Sequence, residues 1–163
     1  MARLSTDILL VEDNEFDIEI TLRALREHGI TEKVEVARDG EEALTFLARG
    51  RGDGEGHMPQ FPRLILLDLK LPKIDGLEVL RRLKEKPETR VIPVVVLTSS
   101  KEYEDMSRSY LAGVNSYVQK PVNFERFRKI VGDLGLYWLA VNQLPPVSTP
   151  VAQEAPRSKT PNP

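Results

Sequence analysis

Five short apolar runs, each followed by a longer helical pattern, constrain this chain more than any other feature. The runs lie at residues 7–11, 33–37, 63–68, 92–97 and 116–118. Several are nearly continuous Leu, Ile and Val with little in–out alternation, as expected of strands covered on both faces of a parallel sheet. Helices are predicted between them. The first, over 15–28, carries Ile18, Leu22 and Leu25 on one stripe and stops at Gly29, a natural C′ residue. The second, over 40–48, carries Ala43, Leu44 and Leu47. The third, over 75–86, opens with Asp75 and Glu78 at capping-box spacing and ends before Pro87. The last two span 101–111 and 123–141. Five such βα units imply right-handed crossovers and an α/β fold, a doubly wound sheet in three layers. Folds of this kind place their sites at the carboxyl ends of the strands.

The 163 residues are 40% hydrophobic and 29% charged, which suits one globular domain with a sizeable core. Net charge is −2, with acids and bases interspersed, so no basic block points to DNA or to a membrane surface. Cysteine is absent, which excludes thiol catalysis, cysteine metal sites and disulfides. No apolar run approaches the ~20 residues needed to span a bilayer, and a cytoplasmic location is expected. The domain is assigned to 4–142. Residues 143–163 hold six of the twelve prolines and read as a disordered, proline-rich tail. Residues 50–56, GRGDGEG, read as a flexible surface loop, and neither His28 nor His57 has the setting of a ligand or a relay histidine.

The first run, ILLVEDNE, stops on two carboxylates, Glu12 and Asp13, and the third, LILLDLKLP, stops on Asp68. If these strands are neighbours, three carboxylates converge at one sheet edge. They repel, and some must take up protons unless a cation neutralises them. With only oxygen ligands on offer the favoured cation is hard, and Mg²⁺ fits best. The bland alternative is that each acid caps a following helix. Two further strand ends weigh against it. IPVVVLTSS ends in Thr98, a hydroxyl, and NSYVQKP ends in Lys120, an ammonium. A phosphoryl group on Asp68 would need metal, ammonium and hydrogen-bond donors around its oxygens, and a carboxylate is a competent nucleophile.

With VEDNE, LLDLKLPKIDG, VVVLTSS and NSYVQKP the chain resembles a response-regulator receiver domain of two-component signalling, from about Leu4 to Trp138. The resemblance implies a flavodoxin-like (βα)5 sandwich with a parallel sheet of order 2-1-3-4-5. It implies that Asp68 is the phosphoacceptor, and that Glu12 and Asp13 organise Mg²⁺. Asp13, Asp68 and the backbone carbonyl of Lys70 would ligate it. Thr98 and Tyr117 would form the switch pair, and Lys120 would bind the phosphoryl group. The Lys120–Pro121 bond is expected to be cis. Pro72 and Gly76 would shape the loop after the acceptor, and Lys70 and Ser100 occupy positions that tune phosphate lifetime. Glu12 departs from the commoner Asp by one methylene. A haloacid-dehalogenase-type phosphatase would want a second Asp where Lys70 stands, and no P-loop motif occurs.

No output domain is expected after Val141, so a non-covalent output is expected. The last helix places Phe124, Phe127, Val131, Leu134, Trp138 and Val141 on one stripe, which suffices to cover the sheet. The remainder leaves LGLYWLAV apolar nearly all round. Leu134, Tyr137 and Trp138 then mark an interface, unless Gly132 and Gly135 break the helix and let its end fold back on the domain. The ending LGLYWLAVNQ and the stretch NEFDIEITLRAL resemble single-domain regulators that partner phytochrome-type histidine kinases. That likeness implies a homodimer through the fourth helix, fifth strand and fifth helix. The alternatives are a phosphorelay intermediate and a constitutive dimeric scaffold.

Overall fold

The computed structural model describes residues 6–30, 33–50 and 60–145. Most of the expected glycine-rich loop, His57 and the tail beyond Pro145 lie outside the described residues. Five strands and five helices alternate: β1 (Ile8–Val11), α1 (Glu15–Glu27), β2 (Val34–Ala37), α2 (Gly40–Arg49), β3 (Leu64–Leu67), α3 (Gly76–Glu85), β4 (Val94–Thr98), α4 (Tyr103–Leu111), β5 (Ser116–Gln119) and α5 (Phe124–Leu136). The strands form one parallel sheet in the order β2-β1-β3-β4-β5, as expected.

The near-continuous apolar runs are explained by the two faces of this sheet. Side chains alternate across a strand, so Leu9, Val11, Ile65, Leu67, Val94 and Val96 enter one core with α2 and α3. Ile8, Leu10, Leu64, Leu66, Val95 and Leu97 enter the other, with α1 and α5. Every residue of β1, β3 and β4 is buried, whereas the edge strands β2 and β5 are only partly so. Each fully buried Leu, Ile or Val contributes roughly 1.5–3 kcal/mol relative to exposure.

Local chemistry sets the helix ends. Asn14, Asp39, Asp75 and Asn123 each cap a helix by accepting the amide three residues on. The Asp75 cap is half of the expected box, because Glu78 turns its carboxylate to Arg81 and Arg82 instead. At the end of α1, Ile30 N–H donates to Leu25 and Gly29 N–H to Arg26, a Schellman motif with Gly29 at φ +75°. His28 closes the same helix, its Nδ1 2.8 Å from the Ala24 carbonyl.

Three boundaries differ from expectation for identifiable reasons. β4 begins at Val94 because Ile92 N–H turns back to Thr89 and Pro93 has no N–H to offer. α4 begins at Tyr103 because Glu102 N–H is taken by the Ser100 hydroxyl. The last helix does not run as one α-helix to 141. It passes at Tyr137 into a π-helical turn, Tyr137–Val141, and Arg63 Nη2 donates to the Leu139 carbonyl at 2.8 Å. Gly132 and Gly135 do not break it. They let α5 approach α1: a Cβ on Gly132 would stand 2.4 Å from the His28 ring, and one on Gly135 2.2 Å from Ile30 Cδ1.

Candidate functional site

The register of the sheet brings the strand ends together. Val11 pairs with Leu67 and Leu67 with Val96, so Glu12, Asp68 and Thr98 leave neighbouring strands at one edge. β5 adds its own end there, with Gln119 opposite Thr98 and Lys120 N–H donating to the Thr98 carbonyl at 2.7 Å. Glu12, Asp13 and Asp68 each offer an oxygen, all within 4.8 Å of one another. Glu12 and Asp68 are 4% and 7% exposed, while Asp13 faces solvent.

None of these acids caps a helix. The caps of α1 and α3 are Asn14 and Asp75. Glu12 Oε1 instead accepts the Asn14 N–H at 3.1 Å, and its other oxygen, Oε2, receives Lys120 Nζ at 2.5 Å. The same ammonium donates to Asp17 at 2.9 Å and to Asp68 at 3.2 Å, which exhausts its three N–H groups. Asp68 Oδ1 also accepts the Lys70 N–H at 3.3 Å. The loop beyond Asp68 is held tightly: Gly76 N–H donates to Leu69, and a Cβ on Gly76 would lie 2.0 Å from the Asp68 carbonyl oxygen. Only glycine fits there.

The electrostatics record an excess of acid. Burial pushes the Glu12 carboxyl up to about 7, the Asp68 charge pushes it the same way, and the Lys120 ammonium only partly opposes them. Burial works against the Lys120 ammonium too. The Asp68 charge and the hydrogen bonds to Glu12 and Asp17 outweigh it, so Lys120 stays protonated well above its ordinary range. Three carboxylates, Glu12, Asp17 and Asp68, meet one ammonium, and Asp13 adds a fourth carboxylate beside Glu12 and Asp68. An all-oxygen, net-negative cluster of this kind suits a hard divalent cation.

Thr98 is fully buried, and its Oγ1 accepts the Ser100 N–H at 3.3 Å. Tyr117 is half-buried against the core that α2 and α3 cover, and its hydroxyl donates to the Ser100 carbonyl at 3.3 Å. Burial raises the Tyr117 pKa, the Ser100 hydrogen bond opposes this, and the charges of Asp105 and Asp68 add to the rise. The Lys120–Pro121 bond is not cis; no cis peptide occurs among the described residues. The trans bond already delivers the ammonium to three carboxylates, and trans is favoured by about 0.5–1 kcal/mol for X–Pro.

The three residues expected at an interface divide. Leu134 and Trp138 pack partly against the core shared by α1 and α5, while Tyr137 is 49% exposed and meets Trp138 edge-on, ring centroids 5.1 Å apart. Leu136 and Val141 are exposed beside it. Asp17 was not anticipated as a partner of Lys120. Its signal in the sequence is the Asn14-x-x-Asp17 spacing at the start of α1, which announces a helix cap but not a distant ammonium.

Comparison with known proteins agrees with this geometry. The response regulator receiver domain family matches residues 8–132. The response regulator Rcp1 of Synechocystis is 41% identical over 138 residues, 85% of this chain and 92% of Rcp1. A probable methanogenesis regulatory protein, FilR2 of Methanothrix harundinacea, is 44% identical over 85% of this chain and 86% of its own length. Among solved structures, the phosphorylated cyanobacterial phytochrome response regulator RcpA superposes with a TM-score of 0.77 at 40% identity, covering 86% of this chain and 99% of RcpA. The Mn²⁺-bound form of Rcp1 gives 0.76 at 40% identity, covering 86% and 99%. The sheet order, the acidic strand ends and these matches together place the chain in the response regulator receiver domain family.

Proposed function

We propose that this chain is a phosphorylation-driven switch, its receiver unit spanning 4–142, in which Asp68 accepts a phosphoryl group from a histidine kinase. The observation that carries the reading is the convergence of Lys120 Nζ on Asp68, Glu12 and Asp17 beside the exposed carboxylate of Asp13. An Asp68 oxygen attacks phosphorus, the bond from phosphorus to the donor's imidazole nitrogen breaks, and that nitrogen keeps the electron pair. Asp13, Asp68 and the Lys70 carbonyl would hold Mg²⁺, with the Glu12 carboxylate adding negative charge beside them. The metal, when bound, supplies positive charge to the phosphoryl oxygens. Lys120 and the Thr98 hydroxyl bind those oxygens as they leave the donor. In Lys120's case this means exchanging a carboxylate partner for the phosphoryl group. The likeness to the phytochrome response regulator RcpA supports a phytochrome-type kinase as the donor, and membership of the receiver family is consistent with a cytoplasmic site of action. Among the described residues, no helix is long and apolar enough to cross a membrane.

The output is a homodimer or partner face built from α4, β5 and α5. Its support is the exposed apolar surface there: Tyr103, Tyr110 and Leu111 on α4, and Leu136 and Tyr137 at the end of α5. Incubation with acetyl phosphate and Mg²⁺ should phosphorylate the native chain and leave Asp68→Asn unmodified. Lys120→Ala should still accept the group but fail to change oligomer size with beryllofluoride. An unmodified native Asp68 would overturn the reading. A dimer indifferent to Asp68 and to beryllofluoride would replace the switch with a constitutive scaffold.

A further inference from the structure

α4 is weakly anchored. It buries only Ser109, whereas α3 buries Val79, Leu80 and Leu83, and the large apolar side chains of α4 stand out in solvent. Its N-terminal residue Glu102 makes no side-chain cap. What holds the first turn is polar. Asp105 Oδ2 accepts the Ser100 hydroxyl at 2.5 Å, a short bond to a charged acceptor, and the Asp105 carbonyl accepts the Ser109 hydroxyl at 2.7 Å.

Ser100 is 6% exposed, and each of its polar groups is engaged. Its N–H goes to Thr98 Oγ1, its carbonyl receives the Tyr117 hydroxyl, and its own hydroxyl binds Asp105 while accepting the Glu102 N–H. A buried N–H that loses its only partner is costly. If the Thr98 hydroxyl turns toward a phosphoryl group on Asp68, the Ser100 amide loses its acceptor and the 98–100 segment must move. The Ser100 hydroxyl then carries that movement to α4.

We propose that Asp105 is a positioning residue: through its bond to the Ser100 hydroxyl it ties the first turn of α4 to the state of the Thr98 hydroxyl. This rests on the switch reading above. It adds a residue outside the acid pocket that decides whether α4 responds. Asp105→Ala breaks the tie and leaves the pocket intact. Asp105→Asn keeps an acceptor oxygen and serves as the conservative rescue.

The test uses the full chain with Mg²⁺ and beryllofluoride. Fluorine NMR reads occupancy of the pocket, and amide hydrogen exchange reads residues 102–106. In the native protein, beryllofluoride should bind and change exchange in that turn. In Asp105→Ala it should still bind, basal exchange should rise on the order of tenfold, as for loss of one hydrogen bond to a charged group, and beryllofluoride should add less than a twofold change. Asp105→Asn should recover most of the response, and Ser100→Ala should repeat the Asp105→Ala exchange pattern. A full beryllofluoride response of α4 in Asp105→Ala would overturn the proposal, as would bound beryllofluoride with no change in native α4. No bound fluoride signal in the native protein would overturn the switch reading itself, and this proposal with it.

Discussion

Replacing Lys120 with Met keeps the aliphatic stem and removes the ammonium that joins Glu12, Asp17 and Asp68. Lys120, Glu12 and Asp68 have side chains 8%, 5% and 8% exposed, so the interaction is buried. Removing one partner of a buried ion pair destabilises by roughly 3–5 kcal/mol. The lower end, about 3 kcal/mol, is expected here, because Glu12 already titrates at about 7 and escapes by taking up a proton. For a chain of this size that is a fall in Tm of about 6–12 °C. The sign of the pH dependence follows from the raised carboxyl. Glu12 stabilises the fold when protonated, fully below its unfolded value of 4.5, and that contribution is lost as pH rises through about 7. Without Lys120 the carboxyl moves further up, so the deficit should be about 1.4 kcal/mol smaller near pH 5.5 than near pH 8, the remainder coming from the lost Asp17 and Asp68 pairs. Saturating Mg²⁺ should restore most of it at pH 8. Urea denaturation followed by circular dichroism, at both pH values and with and without Mg²⁺, measures all of this. Lys129→Met, which removes an exposed pair with Asp133, serves as the control and should leave the midpoint unchanged. A loss below about 1 kcal/mol at pH 8, or one insensitive to both pH and Mg²⁺, would refute the electrostatic account of the pocket.

Three further outcomes follow from the same geometry. Mg²⁺ binding should release about half a proton at pH 7 and tighten about tenfold between pH 6 and pH 8, because the Glu12 carboxyl near 7 must ionise; calorimetry in two buffers of different ionisation enthalpy reads the proton, and Glu12→Gln should abolish it. Gly76→Ala should lower stability by about 2 kcal/mol and abolish labelling of Asp68 by acetyl phosphate, since the new Cβ meets backbone at Asp68 and Leu69 that cannot yield without displacing the acceptor; normal labelling would contradict this. Gly135→Ala should destabilise by about 1–2 kcal/mol by pressing on the buried Ile30 and Leu25, whereas Gly132→Ala meets only the exposed His28 ring and should stay within about 0.5 kcal/mol once the gain in helix propensity is counted. Urea midpoints of the two variants test the contrast.

Much of the architecture was legible in local pattern. Unbroken Leu, Ile and Val runs require a sheet covered on both faces, and the alternation of 9, 11, 65 and 67 against 8, 10, 64 and 66 shows why no polar residue interrupts them. Asp75 and Gly29 announce their helix ends because capping is decided within four or five residues. The chemistry at the ends of β1, β3, β4 and β5 was also readable, since parallel strands bring their carboxyl ends to one edge whatever their loops do. Other features depended on contacts between distant segments. Asp17 and Lys120 are 103 positions apart, and Arg63 meets Leu139 across 76. No spacing rule reaches that far, so the third carboxylate on the ammonium and the π turn at the end of α5 emerged only from packing. The trans Lys120–Pro121 bond is of the same kind. Proline allows either isomer at similar energy, so the local sequence does not fix which one occurs. Ser100 stood out only through the family resemblance and Asp105 not at all; burial of Thr98 and Ser100 and the hydrogen bond between Ser100 and Asp105 made them a junction.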